Sequence, residues 1–400
     1  MGTRAELDPD RPAGIGIVGC GHVSAQYFEG LGSFKRILEV RACADREEER
    51  AAAAGARYGV RACRVDELLH APDVEIVVNL TPPRMHADVT AQAVAAGKHC
   101  YSEKPLAADL GEARRVLDEA RRATVTVGCA PDTVLGGALQ TCRRLIDDGA
   151  IGRPVAAVAF VSEHGYEHFH PNVDAFYRPG GGPLLDLGPY YVTALVHFFG
   201  PVARATGFAR ASFRERTIAA RGPRCGERIP VQVPTHATGA LEFESGLIAT
   251  VLMSWDLWAT HLPYIEVYGT AGSLAVPNPD EFRGTPMLRR AGPEEQRQPP
   301  PVPGELPWTE MPLTQAGGAA RGVGVAEMVC AIRSGRRPRA SGELAYHVLE
   351  TLIGLERSAR TGRHIELESR CARPDPLNGS DCALAGPGSA ARAAPAGNRR

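Results

Sequence analysis

The sequence predicts an α/β protein of two domains: a doubly wound parallel sheet at the N-terminus, then an α/β domain built on a large, mostly antiparallel open sheet. Three observations carry this expectation. Short apolar runs alternate with alanine- and charge-rich helical stretches from residue 14 to about 130. The first of those runs breaks into closely spaced glycines. Past residue 150 the pattern changes to longer strand-like runs separated by turns. At 400 residues and 44% hydrophobic content, the chain is long enough to bury two cores.

In order, Gly14-Ile15-Gly16-Ile17-Val18 reads as a strand and Gly19-Cys20-Gly21-His22-Val23-Ser24 as the turn after it. Gly14, Gly16 and Gly19 also match G-x-G-x-x-G by letter, but two of them lie inside the strand, and the glycines that approach a pyrophosphate follow it. The working register is Gly19-x-Gly21-x-x-Ser24. Gly19 makes the tight turn, Gly21 admits the phosphates, and Ser24 supplies a small residue where the helix must pack closely. The helix from Ala25 to Phe34 then points free N–H groups at an anion. Leu38 to Ala44 alternates like a second strand ending at Asp45, 24 residues after Gly21, the place of the acid that binds adenosine ribose hydroxyls. The same carboxylate can start the helix at 46–58. Arg46 beside it can stack on adenine or bind a 2′-phosphate.

Val74 to Leu80 reads as a buried parallel strand stopped by Thr81-Pro82-Pro83. A helix from His86 to Ala96 ends at Gly97, with His86 more naturally a helix-start contact than a catalyst. Lys98 to Ser102 is the next strand, and Glu103-Lys104-Pro105 follows at once. In an open parallel sheet the carboxyl ends of the strands face the ligand crevice, which directs Lys104 there and permits a cis Lys104–Pro105 bond. A helix at 109–122 and a strand at 124–129 finish the alternation, a pattern that reads as a Rossmann domain.

The second domain begins with a helix at 135–147. Strands are expected at Val155–Ser162, Ala203–Phe208, Thr235–Phe243, Leu247–Ser254 and Tyr264–Tyr268. Gly180-Gly181-Gly182 leads to Asp186 at the mouth of a helix from Pro189 to Phe199, on which Tyr190, Thr193, Ala194 and His197 share a face. His164, His168 and His170 resemble a metal cluster, but Gly165 and Pro171 oppose the helix that would align them. A loop lining a substrate pocket is the stronger reading, with no metal site. Residues 283–324 read as a surface excursion, Gly342–Arg360 as a helix and His364–Glu368 as a short strand. Domains are expected at 14–130 and 131–370. Residues 1–13 and 371–400 are expected to be disordered, the latter because Asn378 to Arg400 is mostly Ala, Gly, Pro and Ser.

A net charge of −1 gives no footprint for nucleic acid, and no apolar run approaches a membrane span. The polar start of the chain carries no secretion signal, which points to the cytoplasm. Ten cysteines without C-x-x-C spacing fit reduced thiols. Of 45 basic residues only Lys35, Lys98 and Lys104 are lysine, so Lys104 stands where an amine with a movable pKa is needed.

The Gly19–Ser24 turn, Glu103-Lys104-Pro105 and Gly180-Gly181-Gly182 through Asp186-x-Gly188-x-Tyr190 together resemble the glucose–fructose oxidoreductase / inositol dehydrogenase / rhizopine catabolism (Gfo/Idh/MocA) family over residues 14–370. The resemblance implies hydride transfer between NAD, or NADP, and a secondary alcohol or ketone of a sugar, cyclitol or diol. It also implies oligomers, dimers or tetramers, formed through the open sheet. Redox-neutral NAD-dependent glycoside cleavage and a non-catalytic sugar sensor are the rival readings. Lys104, Tyr190 and Asp186 are the implied catalytic residues. Gly19, Gly21, His22, Val23, Ser24, Asp45, Arg46, Thr81, Pro82, His86, Glu103 and Lys104 are the implied cofactor contacts. Tyr190 stands where the inositol dehydrogenase pattern has histidine, and Thr193 where it has a second aspartate, so inositol is not the expected substrate. A base must take the hydroxyl proton as hydride leaves. Tyr190 is favoured for this, its phenol made more acidic by the Lys104 ammonium, with Lys104 itself the other candidate.

Overall fold

The computed structural model describes residues 7–170, 173–292, 307–313 and 320–377. The first domain runs β1 (Ala13–Val18), α1 (Ser24–Leu31), β2 (Leu38–Ala44), α2 (Glu48–Tyr58), β3 (Arg61–Ala62), α3 (Val65–His70), β4 (Ile76–Asn79), α4 (His86–Ala95), β5 (His99–Ser102), α5 (Leu110–Ala123) and β6 (Val127–Cys129). Its six strands pair in the order β3-β2-β1-β4-β5-β6, every pair parallel. Strands buried on both faces must be apolar throughout, and every residue of β1 and β4 is buried.

The strand glycines serve packing. A Cβ on Gly14 would lie 1.9 Å from the Asp73 carbonyl oxygen, and one on Gly16 would lie 2.7 Å from Leu68. Two expected boundaries shift for local reasons. α2 begins at Glu48 because Asp45 Oδ1 first accepts the Glu47 N–H at 2.9 Å. The last strand begins at Val127 because Thr124 caps α5 in the left-handed region, φ 59°. Segments β3 and α3 were not expected.

The second domain continues with α6 (Gly137–Asp147), β7 (Pro154–Ser162), α7 (Pro183–Asp186), α8 (Gly188–Phe199), β8 (Val202–Arg210), β9 (Glu215–Thr217), β10 (Arg228–Pro230), β11 (His236–Phe243), β12 (Ile248–Ser254), β13 (Ile265–Gly269), β14 (Gly272–Val276), β15 (Met287–Arg290), β16 (Thr309–Glu310), α9 (Val323–Arg333), α10 (Gly342–Thr361) and β17 (Ile365–Glu366). Nine strands form one sheet, β16-β15-β14-β13-β7-β12-β11-β8-β17, antiparallel except where β12 pairs with β7. Along β7 the buried positions alternate as Ala157, Ala159 and Val161, the face that α8 covers. Gly207 and Gly239 pair across β8 and β11, and a Cβ on Gly239 would meet Leu355 of α10 at 2.8 Å.

The expected division at residue 130 is crossed again near the C-terminus. α9 packs on α1 and β6, and α10 spans from β8 to α5. A Cβ on Gly324 would lie 2.3 Å from the Tyr101 hydroxyl, and one on Gly342 would lie 2.6 Å from Leu117, so both helices need glycine to seat on the first domain. The expected 283–324 excursion carries β15 and β16, while residues 293–306 and 314–319 lie outside the described residues.

Within the two ends expected to be disordered, residues 7–13 and 371–377 are described and make contacts with the fold. Leu7 is buried, and Arg11 makes two bonds to Glu75, at 3.0 and 2.8 Å. At the other end the Pro374, Asp375 and Pro376 carbonyls accept from Arg143 and Arg339, whose buried guanidiniums need acceptors that side chains do not fully supply. Residues 1–6 and 378–400 lie outside the described residues. Among the described residues no helix is long and apolar enough to cross a membrane.

Candidate active site

The turn after β1 is shaped to receive an anion. Gly19 has φ +103°, and a Cβ there would lie 2.7 Å from the Leu80 backbone. At Gly21 a Cβ would meet nothing within 4 Å, so the backbone on that side is open to a ligand. Ser24, the first residue of α1, is buried and donates to the Gly21 carbonyl at 2.7 Å. His22 is exposed and Val23 half-buried beside it. The Asp45 carboxylate ends β2 against this turn, with Oδ2 accepting the Cys20 N–H at 2.7 Å. Arg46 is exposed next to it. Thr81 donates its hydroxyl to Asn79 Oδ1 at 2.6 Å, and Pro82 is exposed beyond the end of β4. An open glycine edge and a helix N-terminus to donate to phosphate, with a carboxylate after the second strand to accept from ribose hydroxyls, are the groups that a dinucleotide requires.

Two expected cofactor contacts have other work. His86 is buried, with Nδ1 2.6 Å from the Pro105 carbonyl and Nε2 2.7 Å from that of Thr81. It ties the two loops together, and burial holds its pKa down. Glu103, also buried, accepts from the Tyr27 hydroxyl at 2.8 Å and from the Lys104 N–H at 2.9 Å. Both side chains hold the loop that carries Lys104.

That loop has the cis Lys104–Pro105 bond. Lys104 Nζ donates to Asp186 twice, to the backbone carbonyl at 2.6 Å and to Oδ1 at 2.8 Å. Asp186 is the last residue of α7, which the three glycines make room for. Gly182 has φ +87°, and a Cβ on Gly181 would lie 2.4 Å from the Phe176 carbonyl oxygen. The other Asp186 oxygen, Oδ2, accepts the Tyr166 hydroxyl at 2.9 Å. One carboxylate therefore joins a lysine at the end of β5 to a tyrosine from the loop after β7.

A family profile for the NAD-binding Rossmann fold of an oxidoreductase family matches residues 13–130, and one for the GFO/IDH/MocA C-terminal domain matches 139–275. An oxidoreductase of Rhizobium meliloti is 31% identical over 252 residues, covering 62% of this chain and 69% of that protein. The chain belongs to the Gfo/Idh/MocA oxidoreductase family. It is an NAD(P)-dependent oxidoreductase with the α/β architecture expected. The 1,5-anhydro-D-fructose reductase of Ensifer adhaerens is 28% identical over 362 residues, 88% of this chain and 98% of that one. Levoglucosan dehydrogenase solved with NADH and levoglucosan superposes with a TM-score of 0.75 at 19% identity, covering 90% of this chain and all of that one.

Tyr190, in the slot where the inositol dehydrogenase pattern of the Gfo/Idh/MocA family has histidine, differs from expectation in its partner. Its ring lies under Lys104, with Nζ 5.2 Å from the ring centre, so ammonium meets the π face and not the hydroxyl. The hydroxyl instead accepts from Arg321 Nη2 at 3.0 Å. Arg321 also donates to Gln26 on α1 at 3.0 Å and lies 3.6 Å from Glu103 and 3.5 Å from Asp280. The expected acidification of the phenol is not found. Burial pushes the Tyr190 pKa up, and the opposing pull of Lys104 and Arg321 does not outweigh it. For Lys104, burial works against the charge, yet Asp186, Tyr190 and Glu103 together hold its pKa above the ordinary lysine value. Asp280 and Glu163 have raised pKa values, each chiefly through burial.

The remaining histidines do not converge. His164 stacks on Trp258, His168 packs edge-on against Phe169, and His170 packs edge-on against Phe176. No group of three metal-ligating side chains is found among the described residues. His197 is core, its Nε2 3.2 Å from Gln140 Nε2. Lys98 shows the limit of reading function from scarce lysine. Its Nζ donates to the Ala71 and Val74 carbonyls at 2.8 and 2.7 Å, a structural role. Sequence reasoning missed Arg321, Asp280 and Tyr166. Only Tyr166 carried a signal, lying within the histidine-rich loop assigned to the pocket wall.

Proposed function

We propose that this chain transfers hydride between NAD and a secondary alcohol or ketone of an uncharged sugar, cyclitol or diol, with Lys104 handling the proton. The bond of Lys104 to both oxygens that Asp186 offers, backbone and Oδ1, carries this reading. Two of the three ammonium positions are taken, leaving the third for a substrate oxygen. A bound nicotinamide supplies the hydride donor or acceptor at this crevice. Gly19, Gly21, Ser24, Asp45 and Thr81 would hold the dinucleotide, with His22, Val23, Arg46 and Pro82 around it. Asp45 disfavours a 2′-phosphate and supports NAD over NADP.

In the reductive direction the Lys104 ammonium gives its proton to the oxygen that becomes the alcohol. In the oxidative direction the neutral amine takes that proton, and Asp186 stabilises the ammonium formed. Tyr166 fixes the free oxygen of Asp186, and the Tyr190 ring supports Lys104 from below. Because the ammonium is the favoured form, the site is poised for carbonyl reduction at neutral pH, and oxidation gains as pH rises. The relatives named for 1,5-anhydro-D-fructose and levoglucosan support an uncharged sugar-class substrate. The open sheet face exposes Phe208 and Ile248, 80% and 54% accessible, which supports a homo-oligomer through that face.

Screening sugars, cyclitols and diols by nicotinamide absorbance tests the reaction. Net cofactor reduction by a free sugar supports it, and glycoside cleavage without net redox change overturns it. Light scattering showing only the 42.6 kDa chain at micromolar concentration overturns the oligomer.

A further inference from the structure

A cavity of about 660 Å³ opens between the loop after β7, the β9 strand and the loop after β12. Its volume falls within the ~300–1,000 Å³ usual for small-molecule sites. Trp258 stands on its wall with the indole 84% accessible, and His164 stacks on it at 3.3 Å between ring centres. Phe213, 47% accessible, is pinned by the Arg216 guanidinium 4.6 Å from its ring centre. Two aromatic side chains are thus held by neighbours while remaining open to solvent.

The wall behind them is tied by ion pairs in which carboxylates outnumber the guanidinium. Arg216 is buried, donates to Glu167 Oε1 and to the Trp255 carbonyl, each at 2.9 Å, and pairs with Asp256. One guanidinium between two carboxylates leaves no spare positive charge for a phosphate or carboxylate. Glu215 and His168 add polar groups to the lining. Arg216 Nε and His164 Nδ1 have no hydrogen-bond partner among the described residues, but both atoms are closed to solvent, so the polar groups an occupant meets are those of Glu215, His168 and Thr217, which favour hydroxyls over a hydrocarbon. Exposed aromatic faces with uncharged hydrogen-bonding capacity suit a pyranose or furanose ring, whose C–H face stacks while its hydroxyls bond at the edge.

The same loop serves both places. Tyr166 reaches Asp186 of the reaction centre, while His164 and Glu167, its near neighbours, line the cavity. We propose that this cavity is a subsite for a second, unreacting sugar ring, so that the substrate is a glycoside or disaccharide whose reacting ring lies at Lys104. The proposal rests on the sugar-class reading above and specifies it.

The test compares kcat/KM for NAD reduction with glucose, galactose and xylose against cellobiose, maltose, lactose and xylobiose, in wild type and Trp258→Ala. Trp258 is exposed, so its loss leaves the core intact. At least one disaccharide should exceed its constituent monosaccharide by tenfold or more, through KM. Trp258→Ala should cut that ratio about ten- to hundredfold, the worth of one buried aromatic contact. Ratios within threefold for every pair, or a ratio that Trp258→Ala leaves unchanged, overturn the subsite while the dehydrogenase reading stands. If no sugar reduces NAD, the dehydrogenase reading fails, and tryptophan fluorescence of the NAD-loaded protein decides the subsite. Quenching by a disaccharide in wild type that is lost in Trp258→Ala sustains it. No quenching, or quenching by tetramethylammonium alone, overturns it.

Discussion

Replacing Asp186 with asparagine removes one charge from the Lys104 pair and, with the amide oxygen kept toward Nζ, turns the amide nitrogen to the Tyr166 hydroxyl, which must then accept instead of donate. The shapes match, and the 2.6 Å bond from Nζ to the Asp186 backbone carbonyl is untouched. What changes is a carboxylate 2.8 Å from Nζ, between side chains 14% and 20% accessible. An opposite charge at such range shifts a pKa by about 1–3 units, about 1.4–4 kcal/mol between the two protonation states. The sign follows from the direction of the wild-type shift. Asp186 helps hold the Lys104 pKa above its ordinary value, so its neutralisation lowers that pKa.

In alcohol oxidation only the neutral amine accepts a proton, and kcat/KM falls as pH drops below the lysine pKa. Asp186→Asn should move that limb about 1–3 units toward acid relative to wild type, with a lower plateau because the amine is a weaker base. Initial rates of NAD reduction from pH 6 to 11, with cofactor saturating and substrate below KM, give both profiles. Lys104→Met is the control that should lose the limb with the activity. Superimposable wild-type and Asp186→Asn limbs would show that Lys104 does not carry the proton.

Three further expectations use different parts of the structure. Tyr190→Phe should lower kcat less than tenfold, whereas Lys104→Met should lower it about 10²–10⁴-fold, since the proposed reading gives the proton to the lysine while the Tyr190 hydroxyl is held by Arg321; steady-state kinetics showing the reverse order would restore the phenol as proton carrier. Gly14→Ala should destabilise the fold by several kcal/mol, because its Cβ meets backbone at 1.9 Å, while Gly21→Ala should melt like wild type and bind NAD at least tenfold more weakly; equal melting shifts would mean that the strand glycines are not packing positions. Asp45→Ala should raise the kcat/KM ratio of NADP to NAD tenfold or more by removing the charge that repels a 2′-phosphate, and a constant ratio would mean that Asp45 serves only the turn it bonds at Cys20 and Glu47.

How much of this was legible in the sequence depends on how far apart the cooperating residues lie. The glycine register was legible because strand and turn positions differ locally, and the accessible side of Gly21 against the crowded sides of Gly14 and Gly16 follows that division. Lys104 was legible from its place after an apolar strand, since the topology alone points strand ends at the crevice. Its contact with Asp186 spans 82 residues, and the family resemblance named both residues without pairing them. The docking of residues 374–376 was not legible, because their partners, Arg143 and Arg339, show their need for acceptors only once folded.

Tyr190 marks the boundary between these cases. A motif fixes a backbone slot, and the helix α8 puts the Tyr190 ring beside Lys104 as the motif requires. A phenol, however, carries its oxygen at the far end of the ring from Cβ, so the same slot lets ring and hydroxyl address different neighbours. A histidine there would offer its nitrogens nearer the backbone. With tyrosine the oxygen passes Lys104 and reaches Arg321, 131 residues further along the chain. The guanidinium has no acceptor capacity, so the phenol oxygen must accept there and keeps its own proton for another partner. Arg321 simultaneously donates to Gln26 of α1, which makes the Tyr190 hydroxyl part of the contact between the two domains. With its oxygen held at Arg321 and its ring under Nζ, Tyr190 supports the proposed reading in which the Lys104–Asp186 pair handles the proton.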